Sequence, residues 1–338
     1  MTTMRCGISR IAETEGLEAA LNDALSWVQW ERLIGADARI FVKPNLTWKL
    51  PSPGVTTSPA FLETLIRTLT SRSRHVSIVE SDGGYASFRA EESFQGHGLH
   101  AFAQKYGVSV INLSRLPSES VTVDIDGPVT VKLPSILLHE ADAFITAPVP
   151  KMHAMTRVSL GFKNQWGCQP DPMRLRNHPD FDRKILAINQ ILRPALTVFD
   201  GTYFLDLTGP MVGKPVKMDL IIAADHVGAG TLACCEIMGI DPSTAPHLRL
   251  AQRLGMMPHS VTELACNQAP ASFRRHRFTL TRSPLNYVAL AGFRSHLGMR
   301  LLYDSPTAER LHELLYLLRK TPYIGRFLHG PLGPSAAG

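Results

Sequence analysis

Five short apolar runs in this chain each end in a cluster of polar side chains able to bind anions, hold metals or move protons. Residues 38–42 end in Lys43-Pro44-Asn45, residues 75–79 in Glu80-Ser81-Asp82-Gly83-Gly84, and residues 141–147 in the stretch from Pro148 to His153. Residues 195–199 end in Asp200-Gly201, and residues 220–224 in Asp225-His226. In the third cluster Pro148 and Pro150 extend the backbone ahead of Lys151 and His153, and residues two apart on an extended chain project to the same side. A lysine and a histidine aimed at one spot can clamp an anion, transfer a proton, or combine a metal ligand with a charge partner. Lys163-Asn164 adds a second cation and an amide nearby. His153, Lys151 and Lys163 are therefore the catalytic candidates, and Lys43, Asn45, Asn164 and Lys214 are candidates for holding an anionic substrate. Glu80, Asp82, Asp200 and Asp225 are candidate metal ligands. Mixed oxygen and nitrogen donors suit Mg, Mn, Fe or Zn, and no spacing selects among them.

Side chains so far apart in sequence share a pocket only if the fold gathers them. Short apolar runs bounded by turn residues, with helical stretches between several of them, read as buried strands of a mostly parallel sheet. The carboxyl ends of such strands converge on one edge, where ligands bind. All five clusters are expected at that edge. Between the first two runs, residues 46–57 form a loop rich in Pro, Ser, Gly and Thr that ends at Ser58-Pro59. Serine as N-cap and proline at the first helical position predict a helix to about Leu69. Thr56 and Thr57 precede its positive end, so they are candidate anion contacts or plain capping residues. Further helices are expected over residues 16–33, 91–106, 181–192, 227–238, 243–254 and 305–320. Residues 108–133 alternate as β-structure around Asp126-Gly127, which predicts an antiparallel hairpin beside the sheet. The expected fold class is thus α/β, a mostly parallel sheet flanked by helices, with an inserted antiparallel hairpin and a helical C-terminal extension. Residues 1–257 are expected as the core domain and 258–338 as the extension, mixed and then helical.

Of 338 residues, 44% are hydrophobic and 19% charged, enough apolar material for a substantial core. The net charge of +6 favours anionic partners. The basic residues are scattered and lack the interleaved aromatics of a single-strand binder, so a small anionic substrate is expected and nucleic acid is not. The five cysteines, Cys6, Cys168, Cys234, Cys235 and Cys266, contain neither a CxxC pair nor a ferredoxin-type run. No intrinsic iron-sulfur cluster is expected, and the odd count fits a reducing cytoplasm. No stretch approaches the roughly 18 apolar residues that cross a bilayer. Neither an HExxH zinc motif nor a G-x-S-x-G elbow is present. The oligomeric state is not legible.

Several of these motifs occur in one order: Lys43-Pro44-Asn45, Glu80-Ser81, Pro150-Lys151-Met152-His153, Ser159 through Gly167, Asp200-Gly201, Gly209-Pro210-Met211-Val212-Gly213-Lys214-Pro215, and Asp225 leading into Met238-Gly239-Ile240-Asp241. Over residues 40–257 this ordered set resembles the domain of unknown function 362 family. The resemblance implies redox or metal-dependent chemistry, often linked to ferredoxin-like iron-sulfur segments. Two departures stand out: the cluster-binding cysteine run is missing, and Gly230 occupies the place of a second aspartate usual in the family. The leading expectation is an enzyme acting on a small anionic metabolite at the carboxyl edge, with lysine and histidine moving protons and a divalent metal as a possible aid. The alternatives are a redox partner or scaffold using an external iron-sulfur or flavin centre, and a non-catalytic binding module.

Overall fold

The computed structural model describes residues 3–84 and 87–300. Twelve strands are present among them: β1 Met4–Arg10, β2 Ile40–Pro44, β3 Val76–Glu80, β4 Ser109–Asn112, β5 Ser118–Asp124, β6 Pro128–Pro134, β7 Ala143–Ala147, β8 Lys151–His153, β9 Arg157–Ser159, β10 Leu196–Asp206, β11 Lys214–Ala224 and β12 Leu264–Cys266. Ten of them make one sheet with the order β12-β1-β11-β10-β7-β2-β3-β4, and β8 and β9 attach to the far end of β10. β10, β7, β2, β3 and β4 are mutually parallel. The central strands β2 and β7 are buried along their whole length, which is why they read as continuous apolar runs.

Alternation of side chains across the sheet sorts them into two cores. Ile40, Val42, Val76, Ile78, Ile145 and Val198 face the helices Leu17–Trp27, Pro59–Thr70 and Leu99–Tyr106. Phe41, Val79, Phe144, Phe199 and Ile222 face Phe181–Leu192 and Val227–Met238. The helix Pro59–Thr70 begins as its sequence demands, with the Ser58 side chain accepting from the Phe61 N–H and Pro59 in the first turn. The helical stretch near residues 91–106 is two helices, Ala90–Gly96 and Leu99–Tyr106, because Gly98 takes φ +70° between them.

The β5–β6 hairpin turns at Asp126 and Gly127, both with positive φ. It forms its own two-stranded sheet and leans on the helix Phe181–Leu192, where Arg183 donates to the carbonyls of Ile125 (2.9 Å) and Asp126 (3.1 Å).

Two features depart from the sequence reading. Met4–Arg10 is a sheet strand lying between β11 and β12, an element that short polar-interrupted patterning did not announce. β11 runs antiparallel to β10, with Thr197 opposite Ala224 and Asp206 opposite Lys214. Asp225 therefore leaves the sheet at the amino ends of the parallel strands, the edge opposite the other four clusters. Beyond residue 257, β12 joins the same sheet in parallel with β1, and Phe273 and Phe278 are buried in its core. The helices Pro284–Phe293 and His296–Met299 follow, whereas the helix expected over residues 305–320 lies outside the described residues.

Gly230 sits on the face of Val227–Met238 that touches the sheet. A Cβ there would stand 2.7 Å from the Phe199 ring and 3.1 Å from the Ala224 Cβ, so the second aspartate usual in the family has no room. Gly230→Asp should overpack this contact and bury an unpaired charge, at a cost of about 3–5 kcal/mol. A urea titration showing an unchanged midpoint would contradict that packing.

Candidate functional site

The ends of β2 and β3 lie side by side, and there Lys43 and Glu80 form an ion pair of 2.7 Å with both side chains buried. Lys43 Nζ also donates to the Pro44 carbonyl at 2.7 Å. Glu80 accepts from the backbone N–H of Leu46 (3.1 Å) and of Ser81 (3.0 Å). Gly167 lies against the pair: a Cβ there would come within 3.0 Å of Glu80 Oε1 and 3.1 Å of Lys43 Nζ. The segment around Gly167 is pinned by Asn164, whose Nδ2 donates to the Lys43 carbonyl and to Thr146 Oγ1, each at 2.9 Å. Gln165 bridges Thr146 Oγ1 and Asn189 Oδ1 beneath it.

After β7 the chain continues extended along β10. The Asp200 N–H donates to the Pro148 carbonyl (3.0 Å) and the Leu205 N–H to the Pro150 carbonyl (3.1 Å), so the prolines sit where only an acceptor is needed. This delivers Lys151 and His153 on the short strand β8, paired with β9. Lys151 is 1% exposed, and its Nζ donates to the Val55 carbonyl. Burial, reinforced by Lys163 and Lys43, holds its pKa well below the ordinary lysine value. His153 is likewise pushed well below an ordinary histidine, by burial first and then by Lys163 and Lys151. Its Nδ1 accepts from the Met155 N–H at 3.1 Å, which leaves Nε2 to carry the proton of a neutral ring.

These groups line one cavity of about 340 Å³ with Asn45, Lys163, Asn164, Trp166, Arg174, His178, Phe181 and Phe293. Lys163 Nζ lies 5.9 Å from the centre of the Phe181 ring, and burial together with Arg174 lowers its pKa to about 7. Arg174 is 8% exposed, and its guanidinium makes two long hydrogen bonds of 3.4 Å to the carbonyls of Gln169 and Asp171. Arg174 was not singled out in the sequence, where it is one of several charges in a polar stretch; only the 3-10 turn of residues Arg174–Asp180 points it at the cavity. Lys43, Lys151, Lys163 and Arg174 thus face a cavity whose lining, among the described residues, holds a single carboxylate, Glu80.

Five of the other candidates lie elsewhere with local duties. Thr57 Oγ1 donates to the Ala147 carbonyl and accepts from the Asn45 N–H, both at 2.8 Å, and so fastens the loop that positions Asn45. Thr56 bonds to Ser52 within that loop. Asp82 accepts from the Ala90 N–H at 2.8 Å, at the start of the following helix. Asp200 accepts from the Ser58 N–H (2.7 Å) and the Thr202 hydroxyl (2.7 Å), bracing the helix Pro59–Thr70 from the sheet. Asp225 accepts from the Arg5 N–H at the opposite edge, because β11 is antiparallel. Lys214, exposed at the start of β11, is not among the cavity-lining residues.

The proposed metal ligands therefore do not converge. Glu80 is held by Lys43, the three aspartates serve backbone N–H groups in three places, and no group of three His, Cys, Asp or Glu side chains able to hold a metal occurs among the described residues. The donor set does not fit a divalent ion. Cys168, beside Gly167, is buried, and burial pushes its thiol up to about 12, so it is no nucleophile at neutral pH.

The sequence pattern of the domain of unknown function DUF362 matches residues 40–236, and the chain belongs to that family. Of the cavity residues named above, only Phe293 lies outside this span. The thylakoid-associated protein sll1697 of Synechocystis sp. is 30% identical over 126 residues, which are 35% of this chain and 39% of the relative; the chain thus spans well under half of that protein's length. Among solved structures, the lactate racemase apoprotein from Thermoanaerobacterium thermosaccharolyticum has a TM-score of 0.46 at 16% identity, over 70% of this chain and 57% of the other. A protein from Thermotoga maritima has a TM-score of 0.37 at 14% identity, over 60% and 54%. No helix among the described residues is long and apolar enough to cross a membrane.

Glu80→Gln keeps the shape of the Lys43 partner and removes its charge, and is expected to destabilise the protein by about 3–5 kcal/mol. The double variant Lys43→Met/Glu80→Gln should recover much of the loss. Equal melting temperatures for wild type and Glu80→Gln would show that the pair is not load-sharing.

Proposed function

We propose that this member of the DUF362 family is an enzyme that binds a small anionic metabolite in the cavity at the carboxyl edge of the sheet and moves protons on it. The observation that carries the reading is the charge imbalance: three lysines and an arginine, buried or half-buried, line a cavity that holds one carboxylate among the described residues, already paired with Lys43. Buried charge without a partner is costly, and an anion supplies the partner. Low surrounding dielectric strengthens that attraction. Arg174 offers a planar fork for a carboxylate or phosphate. The amine of Lys163, its pKa brought down to about 7, both accepts and returns a proton, and Lys151, displaced in the same direction, and the neutral ring of His153 stand beside it as acceptors. No step needs the divalent metal that the motif composition suggested.

Small carboxylates and phosphate esters, screened singly, should raise the melting temperature of the wild type. Proton NMR in deuterium oxide should then show exchange of a carbon-bound hydrogen of the binding compound, and His153→Gln should bind within about threefold of wild type while exchange falls by ~10²-fold or more. Stabilisation without exchange would make the protein a binding module; no stabilisation by any anion would remove the reading altogether.

Affinity should also depend on pH in a definite direction. The Lys163 ammonium attracts the anion and is lost as pH rises through about 7. Binding is therefore strongest below that value and weakens above it, by at most about tenfold per pH unit for one group. Lys163→Met should bind more weakly at acid pH and lose this slope, as read by calorimetry from about pH 6 to about pH 9.

A further inference from the structure

The three lysines of the cavity are not equivalent. Lys43 Nζ is engaged by Glu80 and by the Pro44 carbonyl. Lys151 Nζ is engaged by the Val55 carbonyl and is almost completely enclosed. Lys163 is half-buried and lines the cavity, and its Nζ has no hydrogen-bond partner among the described residues. Its neighbour is the Phe181 ring, 5.9 Å away, which cannot engage a lone pair. With its pKa near 7, much of this amine is free base at neutral pH. An unprotonated, desolvated lysine beside another cation is the state in which an amine attacks a carbonyl carbon.

Two further groups define what carbonyl compound would fit. Arg174 lines the same cavity as Lys163, is buried, and has no carboxylate within ion-pair distance among the described residues. An anion seated on Arg174 therefore shares the cavity with the Lys163 amine, which suits a molecule that carries both a carboxylate and a carbonyl. Trp166 and Phe181 supply an apolar wall on the same cavity, and poor solvation favours losing water from an addition product.

We propose, on top of the anion-binding reading above, that Lys163 forms an imine with a 2-oxo acid whose carboxylate rests on Arg174. The amine nitrogen attacks the carbonyl carbon and a C–N bond forms. The π pair of the carbonyl moves to oxygen, which takes up a proton, while the nitrogen gives one up. The resulting carbinolamine loses its hydroxyl with a further proton as water, and a protonated C=N bond remains. Electrons balance without an oxidant or reductant. The iminium then draws electrons from the adjacent carbon, where Lys151 and neutral His153 are the bases at hand. The imine turns general proton chemistry into removal of a proton next to a former carbonyl.

The test uses the full chain with pyruvate or 2-oxoglutarate as probe and sodium cyanoborohydride to reduce any imine to a stable amine. Intact mass and peptide mapping read the product. The expected result is one adduct per chain, on Lys163, absent without the oxo acid and reduced at least tenfold by an excess of propionate or glutarate, which carry the anion but lack the carbonyl. Lys163→Arg should abolish the adduct and still be stabilised by propionate or glutarate. Adducts on Lys151, or only on exposed lysines and insensitive to competitor, overturn the proposal. Stabilisation by propionate or glutarate with no adduct also overturns it while leaving anion binding intact. Absence of any anion-dependent stabilisation in the wild type sinks both. The wild-type peptide map decides the matter even if Lys163→Arg fails to fold.

Discussion

The buried pair of Lys43 and Glu80 is the interaction on which the site depends. Desolvating either charge alone costs several kcal/mol, and mutual attraction compensates only when the remaining donors and acceptors are also satisfied. Here they are: the Pro44 carbonyl accepts from the lysine, and the Leu46 and Ser81 N–H groups donate to the carboxylate. Because the pair closes the ends of two neighbouring parallel strands, it fixes where the loops after β2 and β3 begin. It also sets what can lie on it. Gly167 is the residue in contact, with no space for a Cβ, and the Ser81 hydroxyl donates to the Gly167 carbonyl. The segment carrying Lys163, Asn164 and Trp166 is thereby docked onto the strand ends.

Once Glu80 is committed to Lys43, no other carboxylate among the described lining residues neutralises Lys151, Lys163 or Arg174. Arginine keeps its charge under any accessible pH. The two amines respond as buried amines do, by giving up protons, and both are displaced downward in pKa. Proton affinity and anion affinity are then linked in one cavity: a bound anion favours protonated lysine, and a neutral lysine marks the cavity without its anion. On the proposed function, that linkage lets a single cluster of basic side chains both recognise charge and provide bases.

Much of this was legible in the residues. The runs ending at Lys43, Glu80 and Ala147 are strands whose ends do face one edge, since central parallel strands are apolar throughout and turn residues bound them, whereas the run before Asp200 is the first half of β10, which continues to Asp206. Lys151 and His153 were recognisable because two prolines force an extended path. The same reasoning misplaced Asp225, as a buried antiparallel strand has the same composition as a parallel one, and only the β10–β11 pairing tells the direction. Asp82 and Asp200 show a second ambiguity: a carboxylate that follows an apolar run serves a helix start as readily as a ligand, and both are occupied by backbone N–H groups. Arg174 was invisible for the opposite reason. It follows no strand, and its position comes from tertiary packing of a short 3-10 turn.

The wall of the cavity has a different origin from its charged floor. The family match ends at residue 236, and the cations and His153 all precede that point. Phe293 comes from the helix Pro284–Phe293 and stacks on His178 with ring centres 4.5 Å apart. The chain leading to it is strapped to the loop that follows His153: Arg282 Nε donates to the Ala154 carbonyl at 2.7 Å. Farther back, the Thr279 N–H and the His276 ring both bind the Asp206 carboxylate at the end of β10. Residues after the family core thus clamp the strand ends that hold Lys151 and His153 and cover the same cavity with an aromatic face. On the proposed reading, charge within the core would select the class of ligand, and the shape of this added face would limit which members of the class enter.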